Sequence, residues 1–310
     1  MRSRCGPWVW RTRDDLMPRD PKPLRGMVLM TLAMLTVPLV DGLAKHMSSA
    51  YSPLFLAWAR YAAACAIVLP VAAATHGWSL FPAERRLSHT LRTLFLVIAM
   101  TLYFLAIARI PLATAISAFF IGPIVAVALA LVVLKERITR AKIASLTLGF
   151  AGSLVILRPG TTIDAGLLLA LASGLFFAFY LVTTKVAAQA SDPVKTLAFQ
   201  SAVGALLLTP QAVVSWSTPA LTDLWLIAVL GALSAVSHIL SIAAFRHADA
   251  STLAPLVYVE LLGAALVGYL AFNEIPGLPT VAGAALIVVA GAMLLERRKH
   301  HDHANVTIGA

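Results

Sequence analysis

Two carboxylates stand inside strongly apolar stretches of this sequence, Asp41 and Glu260. An ionised side chain near the centre of a bilayer costs at least about 2.5–3.5 kcal/mol on insertion scales, so each needs a partner or a wet cavity. Glu260 falls about ten residues into its apolar run, with Tyr258, Gly263 and Ala264 leaving room beside it. It can meet a substrate cation or exchange a proton; the plainer alternative is a structural hydrogen bond to a neighbouring helix. Asp41 and Lys45 are spaced i,i+4, acid first, the favourable order for a helical ion pair. They form either an interfacial pair or one wall of a substrate path, with Arg60 as a third member. The planar fork of Arg60 suits a carboxylate or phosphate, but it can equally pair with Asp41. Ser234, His238 and Ser241 make a narrow polar stripe at i, i+4, i+7, suited to interhelical hydrogen bonds or to a proton relay. Tyr103, Tyr180 and Tyr258 also lie within apolar runs. They can stack on a planar ligand or fill a core. Gly122-Pro123 can bend its helix and bare a carbonyl.

The elements that must hold these residues are spanning helices. The chain has 310 residues, 60% hydrophobic and only 12% charged, too little polar surface for a water-soluble protein of that size. Ten apolar runs are predicted at 26–45, 53–75, 91–108, 112–134, 141–158, 163–185, 194–216, 221–245, 251–272 and 278–295. Each approaches the roughly 20 residues a helix needs to cross about 30 Å of hydrocarbon. Lipid tolerates no unpaired backbone, and the runs are too long for barrel strands. The fold class is therefore an all-α integral membrane protein of about ten helices. The moderate first run behind a basic tail also resembles a signal peptide cleaved near Ser48-Ser49-Ala50, but that run has a counterpart in the second half of the chain.

The two halves repeat. Ala113-Thr114 and Glu136 reappear 138 positions later as Ser251-Thr252 and Glu274, and Lys45, Pro53 and Arg60 reappear 140 positions later as Lys185, Pro193 and Gln200. Five spans per copy is an odd number, so the second copy is inverted in the membrane. This divides the chain into a basic tail (1–25), a first five-helix repeat (26–158), a second (163–296) and a second tail (297–310). Lys and Arg crowd the gaps on one side, from the seven basic residues of the first tail through Arg92 and Lys185 to Arg297, Arg298 and Lys299; only Lys45, Arg109 and Arg158 fall on the other. That bias places both termini in the cytoplasm. It also explains the formal charge of +10 without nucleic acid. Cys5 and Cys65 are too few and too far apart in character for a disulfide framework.

Taken together, Lys45, Pro53 and Arg60, Pro123 before Leu134-Lys135-Glu136-Arg137, Phe272-Asn273-Glu274, and the closing helix with Gly283 and Gly291 resemble the EamA family of the drug/metabolite transporter superfamily, from Arg25 to Glu296. The resemblance implies two inverted five-helix repeats around a central cavity and alternating access for small metabolites. The Asp41/Lys45 pair is similar to a branch that includes riboflavin and S-adenosylmethionine carriers. Copy two departs from copy one by placing Gln200 opposite Arg60 and Leu181 opposite Asp41, so the site need not be symmetric in charge. The expected function is secondary transport of a small polar metabolite (amino acid, vitamin or nucleoside-like) across the cell membrane, either coupled to protons through Glu260 or Asp41 or by purely facilitated exchange. No cofactor or metal is expected; the partners are a small-molecule substrate and the bilayer, and a homodimer is compatible with the sequence. A membrane-embedded enzyme or a non-transporting scaffold are the competing classes. The sequence has no His-Glu-x-x-His, Gly-x-Ser-x-Gly or P-loop. His300, His301 and His303 read as a solvated tail, and Asn305-Val306-Thr307 as an idle glycosylation acceptor.

Overall fold

Helix starts are written in the sequence by proline and aspartate. Pro53 and Pro193 open their helices at the first turn, where a missing N–H costs nothing. The Asp192 and Asp164 side chains accept from the Val194 and Leu167 backbone N–H groups, each at 2.8 Å, capping the Pro193 helix and one further start. The computed structural model describes residues 22–107, 109–110, 115, 118–136, 138–157, 164–272, 275 and 277–307. Its helices are α1 (Pro23–Met47), α2 (Pro53–His76), α3 (Arg86–Ile107), α4 (Ile121–Val132), α5 (Arg140–Leu157), α6 (Ala165–Ala190), α7 (Pro193–Val214), α8 (Leu224–His247), α9 (Ala250–Leu253), α10 (Glu260–Phe272) and α11 (Leu278–Thr307). A 3₁₀ segment, Ala254–Val259, joins α9 to α10 within the ninth span. These elements fall on the ten predicted spans. The expected 112–134 span is described only in part, and the closing helix continues well past 295.

Two spans expected as unbroken helices are interrupted. The fourth halts at Phe120, just before Gly122-Pro123, and the ninth passes through a 3₁₀ stretch containing Pro255. The breaks are related by the internal repeat, since Phe120 and Tyr258 lie 138 positions apart. They meet: their rings pack edge to face at 5.5 Å, and the Tyr258 hydroxyl donates to the Phe120 carbonyl at 3.1 Å. The Tyr258 hydroxyl thus ties the second break to the backbone at the first.

The helix pairing maps onto itself when each span is exchanged for the one five further on. The pair α3–α6 corresponds to α1–α8, and α4–α6 to α1 against the ninth span; α2–α7 and α5–α11 are self-paired. Lipid-facing residues such as Leu24, Val28, Leu32, Leu35 and Leu39 line one side of α1. Interior contacts use small residues and hydroxyls, as expected where no hydrophobic drive separates helix from lipid. Ser145 donates to the Ala290 carbonyl and Ser173 to that of Ala99, both at 2.6 Å. Gly152 and Gly283 touch backbone to backbone: a Cβ on Gly283 would sit 2.5 Å from the Gly152 carbonyl oxygen. We expect Gly283→Leu to drive α5 and α11 apart, costing about 3 kcal/mol or more. Thermal unfolding in detergent should show it as an early transition or as loss of monodisperse protein.

Tyr51, between α1 and α2, donates to Asp223 Oδ2 at 2.6 Å and accepts from the Ala220 N–H at 3.0 Å, tying the two repeats at one end of the molecule. The bond to Asp223 raises the phenol above its ordinary titration range, which keeps it a donor.

Candidate functional site

The repeat symmetry fails in one informative place. Helices α6 and α8 pack together, whereas their counterparts α1 and α3 share at most a marginal contact among the described residues. Asp41 of α1 and Tyr103 of α3 come within electrostatic range of each other between those two helices.

Asp41 follows Leu39 by two residues, about 200° around the helix, so it points away from the lipid-facing stripe of α1. It is nonetheless exposed, and Met30 and Met34, lower on its own side, are buried. A helix face that is closed at one end and accessible at the other lines a cleft. Glu260, half-buried as the first residue of α10, and Tyr103 of α3, also half-buried, share electrostatic range with Asp41. Glu260 is therefore not mid-helix as the sequence suggested. It stands where the 3₁₀ segment gives way to α10, and interrupted spans commonly carry the ligand site in inverted-repeat carriers.

Deeper in, the charge changes sign. Arg60 interacts with Asp41 and lies 5.3 Å over the Tyr61 ring. His238 faces both Arg60 and Arg92; its Nδ1 is 3.5 Å from the Tyr180 hydroxyl and its ring 6.5 Å from that of Tyr61. Arg92 is wholly buried, with Nε donating to Thr184 Oγ1 at 2.9 Å, Nη2 to the Tyr180 hydroxyl at 3.3 Å, and its guanidinium 5.1 Å from the Tyr180 ring centre. Gln200 is buried on α7, one turn before Gly204, which abuts the Tyr61 ring.

Below this cluster the molecule is shut. Glu136 Oε1 and Oε2 accept from the Ala250 and Ser251 N–H groups, each at 2.9 Å, capping α9 from the other repeat. Lys142 Nζ donates to Ser251 Oγ at 2.8 Å and lies 3.6 Å from Asp249. Lys185 Nζ donates to the Ala248 and Phe245 carbonyls at 2.7 and 3.3 Å and sits 3.8 Å from Asp249; Gln189 reaches the Phe245 carbonyl at 2.9 Å.

The structure thus brings together Asp41, Glu260, Tyr103, Arg60, His238 and Tyr180. Lys45 is in α1, but its side chain lies outside the described residues. Tyr258 is corrected: fully buried between Phe120, Gly149 and Phe150 and bonded to a carbonyl, it is a packing residue with no face left for a ligand. The Ser234/His238/Ser241 stripe is not uniform either, because Ser237 makes the interhelical bond, to the Ala33 carbonyl at 3.2 Å. Sequence reasoning missed Arg92 and undervalued Lys185, counting both among loop cations. Helix α3 begins at Arg86, so Arg92 is already nearly two turns inside. The signal was present in the position of Lys185, which repeats Lys45.

These features define a multi-pass membrane protein of the inverted-repeat carrier type. A family model described as the EamA-like transporter family matches residues 24–158 and 164–296, and the chain belongs to that family, within the drug/metabolite transporter superfamily. It is 27% identical over 277 residues to an S-adenosylmethionine uptake transporter of Rickettsia prowazekii (strain Madrid E), covering 89% of this chain and 94% of the relative. It is 25% identical over 295 residues to a riboflavin transporter of Vibrio cholerae, covering 92% and 98%. A solved crystal structure superposes with a TM-score of 0.74 at 22% identity, covering 89% of this chain and 97% of its own, a likeness of fold.

Proposed function

We propose that the protein is a secondary transporter in the cell membrane that moves a small polar metabolite by alternating access, with Glu260 and Asp41 as the cation- or proton-binding pair. The observation that carries this reading is the broken symmetry: α6 and α8 are latched together while α1 and α3 share at most a marginal contact among the described residues. In an inverted repeat, exchanging the two arrangements converts a cleft open on one face into one open on the other. With both termini in the cytoplasm, the orientation that the basic loops support, the latched end is cytoplasmic and the conformation is open to the outside. Lys45, 140 positions before Lys185, then takes up carbonyls at the end of α3 in the opposite state.

The charged interior (Asp41, Glu260, Arg60, Arg92) suits a ligand carrying polar groups of both signs. The S-adenosylmethionine and riboflavin relatives name the first candidates. The test is tracer counterflow in proteoliposomes holding the purified chain. Labelled substrate should accumulate transiently against unlabelled substrate, and it should emerge chemically unchanged. Background counterflow with a broad metabolite panel would remove the transport reading, and a converted product would favour an enzyme.

A further inference from the structure

Arg92 has a feature its structural contacts do not explain. Its Nε and Nη2 are held by Thr184 and Tyr180, but Nη1 is buried with no hydrogen-bond partner, and the titratable groups that face it are Tyr180, Tyr61, His89 and His238, with no carboxylate among the described residues. Taking a guanidinium out of water without a counter-charge is expensive, and a free edge on it more so. Close by, Arg60 Nε and both polar atoms of Gln200 are also buried without partners. Arg60 and Arg92 face a common pair of side chains, Tyr61 and His238. Two fixed guanidiniums with unused donors, at the closed floor of a cleft whose mouth carries two carboxylates, form one half of a dipolar site.

We propose that Arg92 and Arg60 receive a substrate carboxylate at the floor of the cleft, so that the transported metabolite carries an amino-acid head group. Its cationic end lies toward Asp41 and Glu260 and its carboxylate toward the free edge of Arg92. The assignment rests on the transport reading above and narrows its substrate class. Among the described residues the site holds two positive groups, Arg60 and Arg92, and two negative ones, Asp41 and Glu260, so a ligand bearing both signs leaves it balanced, whereas a dianion does not. Tyr180 and Thr184 are positioning residues: by taking Nε and Nη2 they turn Nη1 toward the ligand. Arg is suited to this because its planar fork matches a carboxylate in a way Lys cannot.

The probes are S-adenosylmethionine and its decarboxylated form, which differ by the carboxylate alone. Affinity is measured on the full chain by ligand-dependent thermal stabilisation and by competition in uptake. The wild type should prefer the carboxylated probe by roughly 10- to 100-fold, the range for a hydrogen-bonded charge. Arg92→Gln should lose that preference while holding the decarboxylated probe within about twofold of wild type. Arg92→Lys, which keeps the charge and tolerates the fold, should recover part of the preference. A folding defect would lower both affinities together, and that result overturns the assignment. So does a wild type that binds the two probes equally, or one that carries only compounds without a carboxylate; transport itself stands in both cases. Absence of uptake for any compound removes the transport reading and this site with it.

Discussion

Glu260→Gln is expected to reduce uptake by roughly 30- to 150-fold and to make what remains insensitive to a pH gradient, with the protein still inserted and folded. The substitution keeps the size and hydrogen-bonding capacity of the side chain and removes only its ability to carry charge. Glu260 is faced by Asp41 from α1 and Tyr103 from α3, and Asp41 in turn by Arg60 from α2. A substrate cation or a proton bound between the two carboxylates therefore loses half of its counter-charge. Truncating one member of a desolvated charge pair costs about 2–5 kcal/mol, and each 1.4 kcal/mol is tenfold; the lower part of that range fits a half-buried group. Uptake measured in proteoliposomes with and without an imposed pH gradient checks it. A variant with wild-type rate and profile would remove Glu260 from the mechanism.

The second large effect is a pair of opposite shifts. Lys185→Ala breaks two bonds to the Ala248 and Phe245 carbonyls, at 2.7 and 3.3 Å, and the approach to Asp249. Charged hydrogen bonds of this kind contribute about 1.5–3 kcal/mol each, so the equilibrium should move at least roughly tenfold toward the state open at the latched end. Lys45→Ala should move it the other way, because the repeat gives that residue the same task at the opposite end. A membrane-impermeant thiol reagent on Ser241→Cys, in a chain with Cys5 and Cys65 replaced by serine, reads the shift from the α8 side. Ser241 is 5% exposed here; labelling should rise from the latched face in Lys185→Ala and fall below wild type in Lys45→Ala. Equal labelling in all three proteins contradicts a symmetric latch.

Most of the fold was legible because lipid leaves so few options. Spans announce themselves by length and polarity, and the recurrence of Glu136 as Glu274 and of Pro53 as Pro193 exposed the duplication. Gly149 and Gly152 meet the Tyr258 ring and Gly283, the close packing that a Gly-x-x-Gly spacing inside a span favours. The site was only partly legible. Asp41, Glu260 and Arg60 stand out because charge in hydrocarbon is rare. Arg92 and Lys185 do not, since a cation near a span end resembles a loop cation until the helix boundary is known. Tyr258 failed for a different reason. A tyrosine in an apolar run looks the same whether it faces ligand or core, and only its packing against Phe120, Gly149 and Phe150, with its hydroxyl on the Phe120 carbonyl, decides which. The cross-repeat cap of Glu136 on α9 joins residues 114 positions apart, a pairing no local pattern reveals.

The most direct test of exchange between two latched arrangements is a double distance measurement in the same membrane. Spin labels at His46 and Arg109 report the α1–α3 gap, and labels at their repeat counterparts Val186 and His247 report the α6–α8 contact. On adding transported substrate with a gradient that drives turnover, the first distance should shorten in the fraction of molecules in which the second lengthens. Two distances that stay fixed, or that change in the same sense, would contradict alternating access through this symmetry.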